Sequence, residues 1–188
     1  MKLVAFSGSS RKGSLNKKLL RLAVKGAEQA GAEVRLIELS TDDMPIFSED
    51  IEAAEGKTEA AKRFKAALMA SDGFLIASPE HNSTYSALLK NAIDWASRAD
   101  SDDEPPLAAF NGKAAVIMAA SPGGYGGKRG LVALRTLLEN IRVTVLDDEL
   151  AIAQAHEAFD ENGELINGEL SAKAKALGEA LCHHLRDK

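Results

Sequence analysis

The chain has 188 residues, a length that suits one domain, and 45% of them are hydrophobic, enough for a substantial core without disulfides or metal. With 28 acidic and 23 basic residues the net charge is -5, so there is no general attraction for a polyanion such as nucleic acid, and a small-molecule partner is favoured. The single cysteine, Cys182, excludes an intrachain disulfide and is typical of a reducing compartment.

The apolar segments are too short to cross a membrane. The longest uninterrupted run, Ala114 to Ala120, is far below the roughly 20 residues that a spanning helix needs. Leu3 to Phe6 is followed at once by Ser7, Gly8 and a charged pair, unlike the hydrophobic region of a signal peptide. We therefore expect no membrane association and a cytoplasmic location.

The predicted elements begin with a strand. Leu3 to Phe6 is a continuous apolar run, typical of a parallel strand covered on both faces. Apolar residues then recur at three-to-four spacing from Leu15 to Ala27, which predicts a helix with Gly31 as its C-terminal stop. Residues 34–39 alternate more between apolar and polar side chains and predict a half-covered edge strand. A second helical pattern covers residues 58–70.

The second half of the chain repeats this order. Phe74 to Ala77 and Ala114 to Ala119 are again continuous apolar runs and predict central strands, with a helix at 85–98 between them. The acidic, proline-containing stretch 100–106 predicts an exposed connection. A helical pattern at 129–140 leads to an edge strand around residues 143–145, and the last helix is expected near 170–185.

Alternation of strand and helix five times over predicts a parallel sheet with right-handed crossovers and helices on both faces. With the second and fifth strands at the edges, the strand order is 2-1-3-4-5, the flavodoxin-like α/β arrangement, here a three-layer sandwich. We find no repeats and predict a single flavodoxin-like domain over residues 1–188. Ligands of such sheets bind beyond the carboxyl ends of the strands, where strands one and three diverge.

Three loops follow the central strands and should meet at that place. The first, residues 7–16, has hydroxyls, glycines and Arg11 at the start of a helix, where free amides and the helix dipole favour an anion such as phosphate. It is not a nucleotide P-loop, because Gly13 is followed by Ser14-Leu15, and it lacks the dinucleotide G-x-G-x-x-G pattern. On this loop alone, the alternative is that Ser14 only caps the helix and Arg11 is solvated.

The second and third loops suit a flat, polar ligand. Pro79 stiffens the second loop, and residues 82–84 supply hydrogen-bonding side chains. The third loop, residues 121–127, has four glycines in seven residues, so its backbone can approach a flat ligand closely.

Two histidine motifs do not predict a metal site. His156-Glu157 begins a zincin-like pattern, but Asp160 stands where the second histidine should be. His183 and His184 are adjacent on a predicted helix and therefore point to different sides of it. We expect no metal ligand.

The second loop and the helix after it resemble a known family. Pro79-Glu80-His81-Asn82, followed by Leu89-Lys90-Asn91-Ala92-Ile93-Asp94-Trp95, resembles the signature of the NAD(P)H-dependent FMN reductases. Gly8-Ser9-Ser10-Arg11 through Asn16 is similar to that family's phosphate loop, and the likeness extends to at least Leu138. The sequence departs from the family at His81, where tyrosine is usual, and at Ser86-Ala87, where proline and glycine are usual.

The resemblance implies an enzyme that uses FMN to pass reducing equivalents from NAD(P)H to a small-molecule electron acceptor, such as a quinone, a free flavin or an azo compound. The flavin itself carries the hydride, so no catalytic acid or base is implied. The implied cofactor-binding residues lie on the three loops: Ser9, Arg11, Ser14, Leu15, Asn16, Pro79, Glu80, His81, Asn82, Ser83, Thr84, Ser121, Pro122, Gly123 and Gly124. The first loop would hold the FMN phosphate, the second would line the ribityl chain and isoalloxazine, and the third would complete the ring pocket.

Two other functions stay open. A flavodoxin-type electron carrier is compatible with the size and charge of the chain. A family member that has lost flavin and serves as a binding protein is suggested by His81 and Ser86-Ala87. Arg11 and the long motif at 79–95 favour the enzyme.

The helix predicted at 85–98 also bears on assembly. Its apolar stripe is wider than one contact with a sheet needs, and Trp95 lies at its margin. A large aromatic there either anchors an interface or packs under a neighbouring loop. The resemblance favours the interface and implies a homodimer or homotetramer in which a second subunit borders the flavin pocket.

Overall fold

One parallel sheet of five strands forms the middle layer. The structure, a computed structural model, describes residues 1–40 and 44–187. The strands are β1 (Lys2–Ser7), β2 (Glu33–Glu38), β3 (Gly73–Ala77), β4 (Ala114–Ala120) and β5 (Thr144–Ile152), in the spatial order β2-β1-β3-β4-β5. All neighbours are parallel. The predicted strand order and flavodoxin-like fold class are therefore confirmed, whereas the extent of the domain, residues 1–188, stays a prediction.

Helices cover both faces of this sheet. One face carries α1 (Leu15–Gln29) and α7 (Gly168–Arg186), and the other carries α3 (Glu59–Met69), α4 (Ala87–Ser97) and α5 (Lys128–Asn140). These five match predicted helices to within a few residues. The short helices α2 (Glu49–Glu55) and α6 (Ala155–Ala158) were not predicted. In the part of the chain that the structure describes, no helix has the length and apolarity of a membrane span.

The central strands are buried because both faces of the sheet are covered. β3 and β4 are buried throughout, and in β1 only Lys2 is exposed. Along β1, Val4 and Phe6 pack towards α3, α4 and α5, whereas the alternate residues Leu3 and Ala5 pack towards α1 and α7. β2, at the edge, leaves most of its residues exposed. The carboxyl ends of β1, β3 and β4 thus meet side by side at one edge of the sheet.

The acidic connection 100–106 is held to the protein by two lysines. Lys65 is 2% exposed, and its Nζ lies 2.5 Å from a carboxylate oxygen of Glu104 and 2.9 Å from one of Asp100. Lys57 pairs with the other oxygen of Asp100 at 2.5 Å. Partial burial raises the pKa of Asp100, but hydrogen bonds from Lys57 and Lys65 and the charges of both lysines lower this pKa overall. The connection is exposed as predicted, yet two of its acids are structural.

Trp95 lies inside the protein, against the segment that precedes α2. Its side chain is fully buried, and its indole N–H donates to the carbonyl oxygen of Pro45 at 2.8 Å. Its ring meets that of Phe47 edge to face, with centroids 5.1 Å apart. Asn91, one turn earlier, accepts a hydrogen bond from the Phe47 N–H at 2.8 Å. Trp95 therefore packs under a neighbouring segment, and its interpretation as an interface anchor was wrong.

Candidate functional site

The three loops predicted to converge do so, around a cleft of about 410 Å³. The first loop, predicted at 7–16, is residues 8–14 in the structure, because Ser7 ends β1 and Leu15 begins α1. The second loop is residues 78–86, after β3, and the third is residues 121–127, after β4. The volume falls within the range of small-molecule sites. The predicted residues that border the cleft are Ser9, Arg11, Ser14, Leu15, Asn16, Pro79, Glu80, His81, Ser121 and Pro122. Asn82, Ser83, Thr84, Gly123 and Gly124 do not border it.

The first loop and the start of α1 form a candidate anion site. The buried Ser14 caps α1 by accepting the Lys17 N–H at 3.3 Å. Leu15 and Asn16, the first two residues of the helix, border the cleft with N–H groups that have no acceptor within the helix. Arg11 is exposed, and its only hydrogen bond within the described residues is a long one of 3.5 Å to Gly13 O. Its positive charge is therefore available to a ligand at the helix N-terminus.

The side chain of Asn16 is committed to the neighbouring strand. Its Nδ2 donates to the backbone oxygen of Ala120 at 2.9 Å, and its Oδ1 accepts the Ala120 N–H at 2.9 Å. Asn16 is only 4% exposed. The resemblance implied a phosphate contact for this residue, but its amide already bridges α1 and the last residue of β4, so the group it offers to the anion site is its backbone N–H.

The second loop folds back on itself in a tight turn. The His81 N–H donates to Thr84 O at 2.9 Å and the Thr84 N–H donates to His81 O at 3.2 Å. Between them, Asn82 and Ser83 have φ angles of 51° and 67°, the left-handed pair of a type I′ turn. Both side chains are exposed at the tip. This turn explains why residues 82–84 do not border the cleft, although Pro79, Glu80 and His81 do.

Glu80 completes the first turn of α5. Its carboxylate accepts the Gly130 N–H at 3.1 Å and the Arg129 Nε–H at 3.0 Å, while the N-cap residue Gly127 has no side chain to offer. A Cβ on Gly130 would lie 3.1 Å from Thr84 O, so glycine allows the helix to approach the second loop this closely. Glu80 therefore acts as a cap supplied from another loop.

The third loop leaves the cleft after Pro122. The Ser121 N–H donates to Ile152 O and the Ala155 N–H donates to Ser121 O, both at 3.0 Å, which holds the loop between β5 and α6. Gly123 O accepts the Gln154 N–H at 3.2 Å. Gly123 thus contacts the residue before α6, and neither Gly123 nor Gly124 borders the cleft.

Sequence reasoning missed the start of α4. Ser86, Ala87 and Leu88 border the cleft. Ala87 and Leu88, with Leu15, Pro79 and Pro122, give it apolar surface beside the polar first loop. The departure of Ser86-Ala87 from the family pattern was the signal that could have identified them. Among the described residues, no group of three His, Cys, Asp or Glu side chains is arranged to hold a metal ion.

Comparison with known proteins extends this picture. The model of a family described as NADPH-dependent FMN reductase matches residues 1–157. An NAD(P)H-dependent FMN reductase of Pseudomonas aeruginosa is 38% identical over 168 residues, which cover 89% of this chain and 85% of the relative. A quinone reductase of Pseudomonas putida is 35% identical over 159 residues, which cover 84% and 81%.

Solved structures of flavoenzymes and reductases also resemble this chain. The flavoenzyme NAD(P)H:(acceptor) oxidoreductase FerB of Paracoccus denitrificans superposes with a TM-score of 0.81 and 28% identity, over 99% of this chain and 97% of that one. An azoreductase, AzrA, has a TM-score of 0.62 at 16% identity, a likeness of fold alone. The match to the family model, residues 1–157, includes all three loops of the cleft.

Proposed function

Since this chain belongs to the NADPH-dependent FMN reductase family, we propose that it is an NAD(P)H-dependent oxidoreductase that binds FMN in the cleft between the three loops. The observation that carries this proposal is the anion site at the start of α1. There, Arg11 and the free N–H groups of Leu15 and Asn16 adjoin a cleft whose remaining walls are partly apolar. A phosphate attached to a flat ring matches both parts.

The residues of the cleft fit the chemical parts of FMN. The phosphate suits the N-terminus of α1, where dipole and guanidinium both favour a dianion. The apolar surface of Pro79, Ala87, Leu88 and Pro122 suits the ring. Asn82, Ser83, Thr84, Gly123 and Gly124 are proposed as outer members of the site that shape the loops.

When bound, FMN supplies the hydride-transfer chemistry. The chain's own tasks are then to bind the phosphate through Arg11 and the α1 N–H groups, to orient the ring, and to exclude water with the apolar wall. We assign Glu80 a structural task, because its two carboxylate oxygens accept hydrogen bonds from Arg129 and Gly130 at the start of α5. His81, exposed at the rim of the cleft, is the neighbouring group that a substrate can reach.

We infer a quinone as the acceptor. Support comes from relatives named quinone reductase in Pseudomonas putida and NADPH:quinone oxidoreductase in Oryza sativa, the latter 33% identical over 178 residues. A flat quinone can occupy the same apolar space as the nicotinamide ring, which favours alternate binding of the two. NADH and NADPH are both donors to be tested.

We also propose a homodimer or homotetramer in the cytoplasm. The support for assembly is the family resemblance together with the large apolar side chains of Ile46, Tyr125 and Val132, which are 85%, 70% and 62% exposed. The support for a reducing compartment is the cysteine content, a single free Cys182.

One set of titrations separates this function from its rivals. The purified protein, stripped of flavin, is titrated with FMN and the fluorescence quenching is followed. NADH and NADPH oxidation is then measured with and without benzoquinone. We expect FMN binding and quinone-dependent oxidation. FMN binding without nicotinamide oxidation would indicate an electron carrier, and a lack of FMN binding would indicate a family member that has lost flavin.

A further inference from the structure

We infer, on the premise of the proposed function, that Asn16, Glu80 and Ser86 are positioning residues that join the three loops in a closed ring and set the shape of the cleft before FMN binds. Ser86 reaches from the second loop to the backbone of the first. Glu80 reaches from the second loop, and Asn16 from the start of α1, to the backbone on either side of the third loop, at Gly130 and Ala120. None of the three bonds involves a ligand. The cofactor-binding geometry is therefore built into the protein itself.

Ser86 joins the second loop to the first. Its hydroxyl donates to Gly8 O at 2.6 Å and accepts the Leu89 N–H at 3.2 Å, which also caps α4. Its backbone N–H donates to the hydroxyl of Ser78 at 3.4 Å. Ser86 is only 1% exposed, and a Cβ on Gly8 would lie 2.5 Å from its Oγ, so glycine at position 8 is required for this contact.

Proline, the usual residue of the family at position 86, can make none of these bonds. It has no N–H and no hydroxyl, and it supplies only a fixed φ at the start of a helix. The substitution by serine in this chain therefore adds a bond between the first and second loops. The departure from the family pattern strengthens the cleft instead of disrupting it.

The other two bridges complete the ring. Glu80 joins the second loop to the end of the third through the Gly130 N–H, and its side chain is only 10% exposed. Asn16 joins α1, the helix that follows the first loop, to Ala120, the residue that precedes the third loop. Each of the three loops is thus connected to the other two. The two residues of each bond lie 50 to 104 positions apart in the sequence.

A closed ring has properties that three independent bonds lack. Breaking one bridge releases the constraint on all three loops, so a second break has less left to release. In such a variant the loops are less ordered before FMN binds. FMN binding then has to overcome the ordering entropy that the intact ring had already removed. We expect lower FMN affinity in each single variant and less than additive loss in double variants.

Amide hydrogen exchange in the flavin-free protein tests the ring directly. The N–H groups of Ala120 and Gly130 report the bridges of Asn16 and Glu80 directly. The Leu89 N–H reports the bridge of Ser86 indirectly, because it donates to the same hydroxyl that donates to Gly8 O. In Asn16→Ala, we expect faster exchange at Gly130 and Leu89 as well as at Ala120. Asn91→Ala is the matched control, because Asn91 holds residues 44–47 to α4 outside the cleft and should leave all three amides unchanged.

FMN titration of the same proteins provides the second readout. We expect the affinity of Asn16→Ala and Ser86→Ala to fall about 10-fold, and that of Asn91→Ala to stay within about 2-fold of wild type. Glu80→Gln should recover most of what Glu80→Ala loses, because its amide oxygen still accepts the Gly130 N–H. For the double variant Asn16→Ala/Ser86→Ala, a fall well short of 100-fold is expected.

The two hypotheses fail in different ways. If wild-type protein does not bind FMN, the proposed function is wrong, and exchange at the remote amides still decides whether the ring exists. If Asn16→Ala speeds exchange only at Ala120, or if the double variant loses affinity additively, the three bonds are independent and the ring is refuted. Should Asn16→Ala not fold, Ser86→Ala with Ala120 and Gly130 as remote reporters replaces it.

Discussion

The indole nitrogen of Trp95 donates to the carbonyl oxygen of Pro45 at 2.8 Å, which fastens the segment before α2 to the buried side of α4. Trp95→Phe removes this donor, leaves the oxygen without its partner and creates a small cavity. We expect a loss of about 2–4 kcal/mol of unfolding free energy in urea denaturation. The oligomeric state should not change, because Trp95 is fully buried within the subunit. If Trp95→Phe left the unfolding free energy unchanged but dissociated the oligomer into monomers, Trp95 would belong to a subunit interface after all.

Arg11 is expected to contribute to binding of the FMN phosphate. Arg11→Ala should weaken FMN binding by roughly 1.5–3 kcal/mol, about 10- to 150-fold, since it removes a charge-assisted hydrogen bond. Riboflavin, which has no phosphate, should bind the variant and the wild type equally. Lys12→Ala is the control, because Lys12 is an exposed cation of the same loop that does not border the cleft. Equal losses for FMN and riboflavin would mean that Arg11 shapes the loop instead.

Steady-state kinetics should be of the ping-pong type. If the nicotinamide and the quinone use the same apolar space beside the ring, the nicotinamide has to leave before a quinone can enter. Double-reciprocal plots of rate against NADPH at several quinone concentrations should give parallel lines. Intersecting lines at all quinone concentrations would require both substrates to be bound together and would contradict the shared space.

The acidic connection should stabilise the fold in a pH-dependent way. The pKa of Asp100 is lowered in the folded protein, so its contribution is present above the usual aspartate pKa of about 3.9 and is lost as pH falls through the folded value. At pH 7, Asp100→Asn should therefore destabilise the protein by about 1 kcal/mol or less, because Asp100 is 53% exposed. The difference from wild type should shrink below about pH 4.

Glu104 gives the comparison for that experiment. Its side chain is 13% exposed and faces Lys65, which is 2% exposed. Removing a partner from a buried pair is more costly than removing one at the surface, so Glu104→Gln should destabilise the protein more than Asp100→Asn at pH 7. Equal and negligible losses would mean that the lysines are solvated and that the connection is held by its backbone alone.

The molecular mass in solution tests assembly. Light scattering after size exclusion at micromolar concentration should report a dimer or tetramer of the 19.9 kDa chain. Val132→Glu replaces an exposed apolar side chain of α5 with a charge and should shift the mass towards the monomer if α5 is part of the interface. A wild-type monomer that reduces quinones would contradict the proposed assembly.

The order of the strands could be predicted because each central strand is a continuous apolar run and the two edge strands are not. The convergence of the loops followed from that order. What sequence could not supply were contacts between residues distant in the chain. The bond from Asn16 to Ala120 spans 104 positions, and that from Trp95 to Pro45 spans 50, so no local pattern contains them. Asn16 and Trp95 were accordingly assigned other partners.

Turn geometry was the other limit. Asn82 and Ser83 were expected in the cleft because their side chains form hydrogen bonds well. Their positive φ angles belong to a turn that directs both side chains outward. The pair Asn82-Ser83 lacks the glycine of the Asn-Gly sequence by which such a turn is usually recognised.

The capping of α5 by Glu80 also constrains the order in which the chain can fold. The bond joins positions 50 residues apart, so the first turn of α5 stays open until β3 and the second loop have formed. Packing of distant segments against each other is slower than local helix formation, because the loop-closure entropy is lost before the non-local contacts form. Amides in the first turn of α5 should therefore gain protection late in refolding, after those of α1, whose cap Ser14 is only three residues from its acceptor site at Lys17. The binding cleft and this helix are then completed in the same late step.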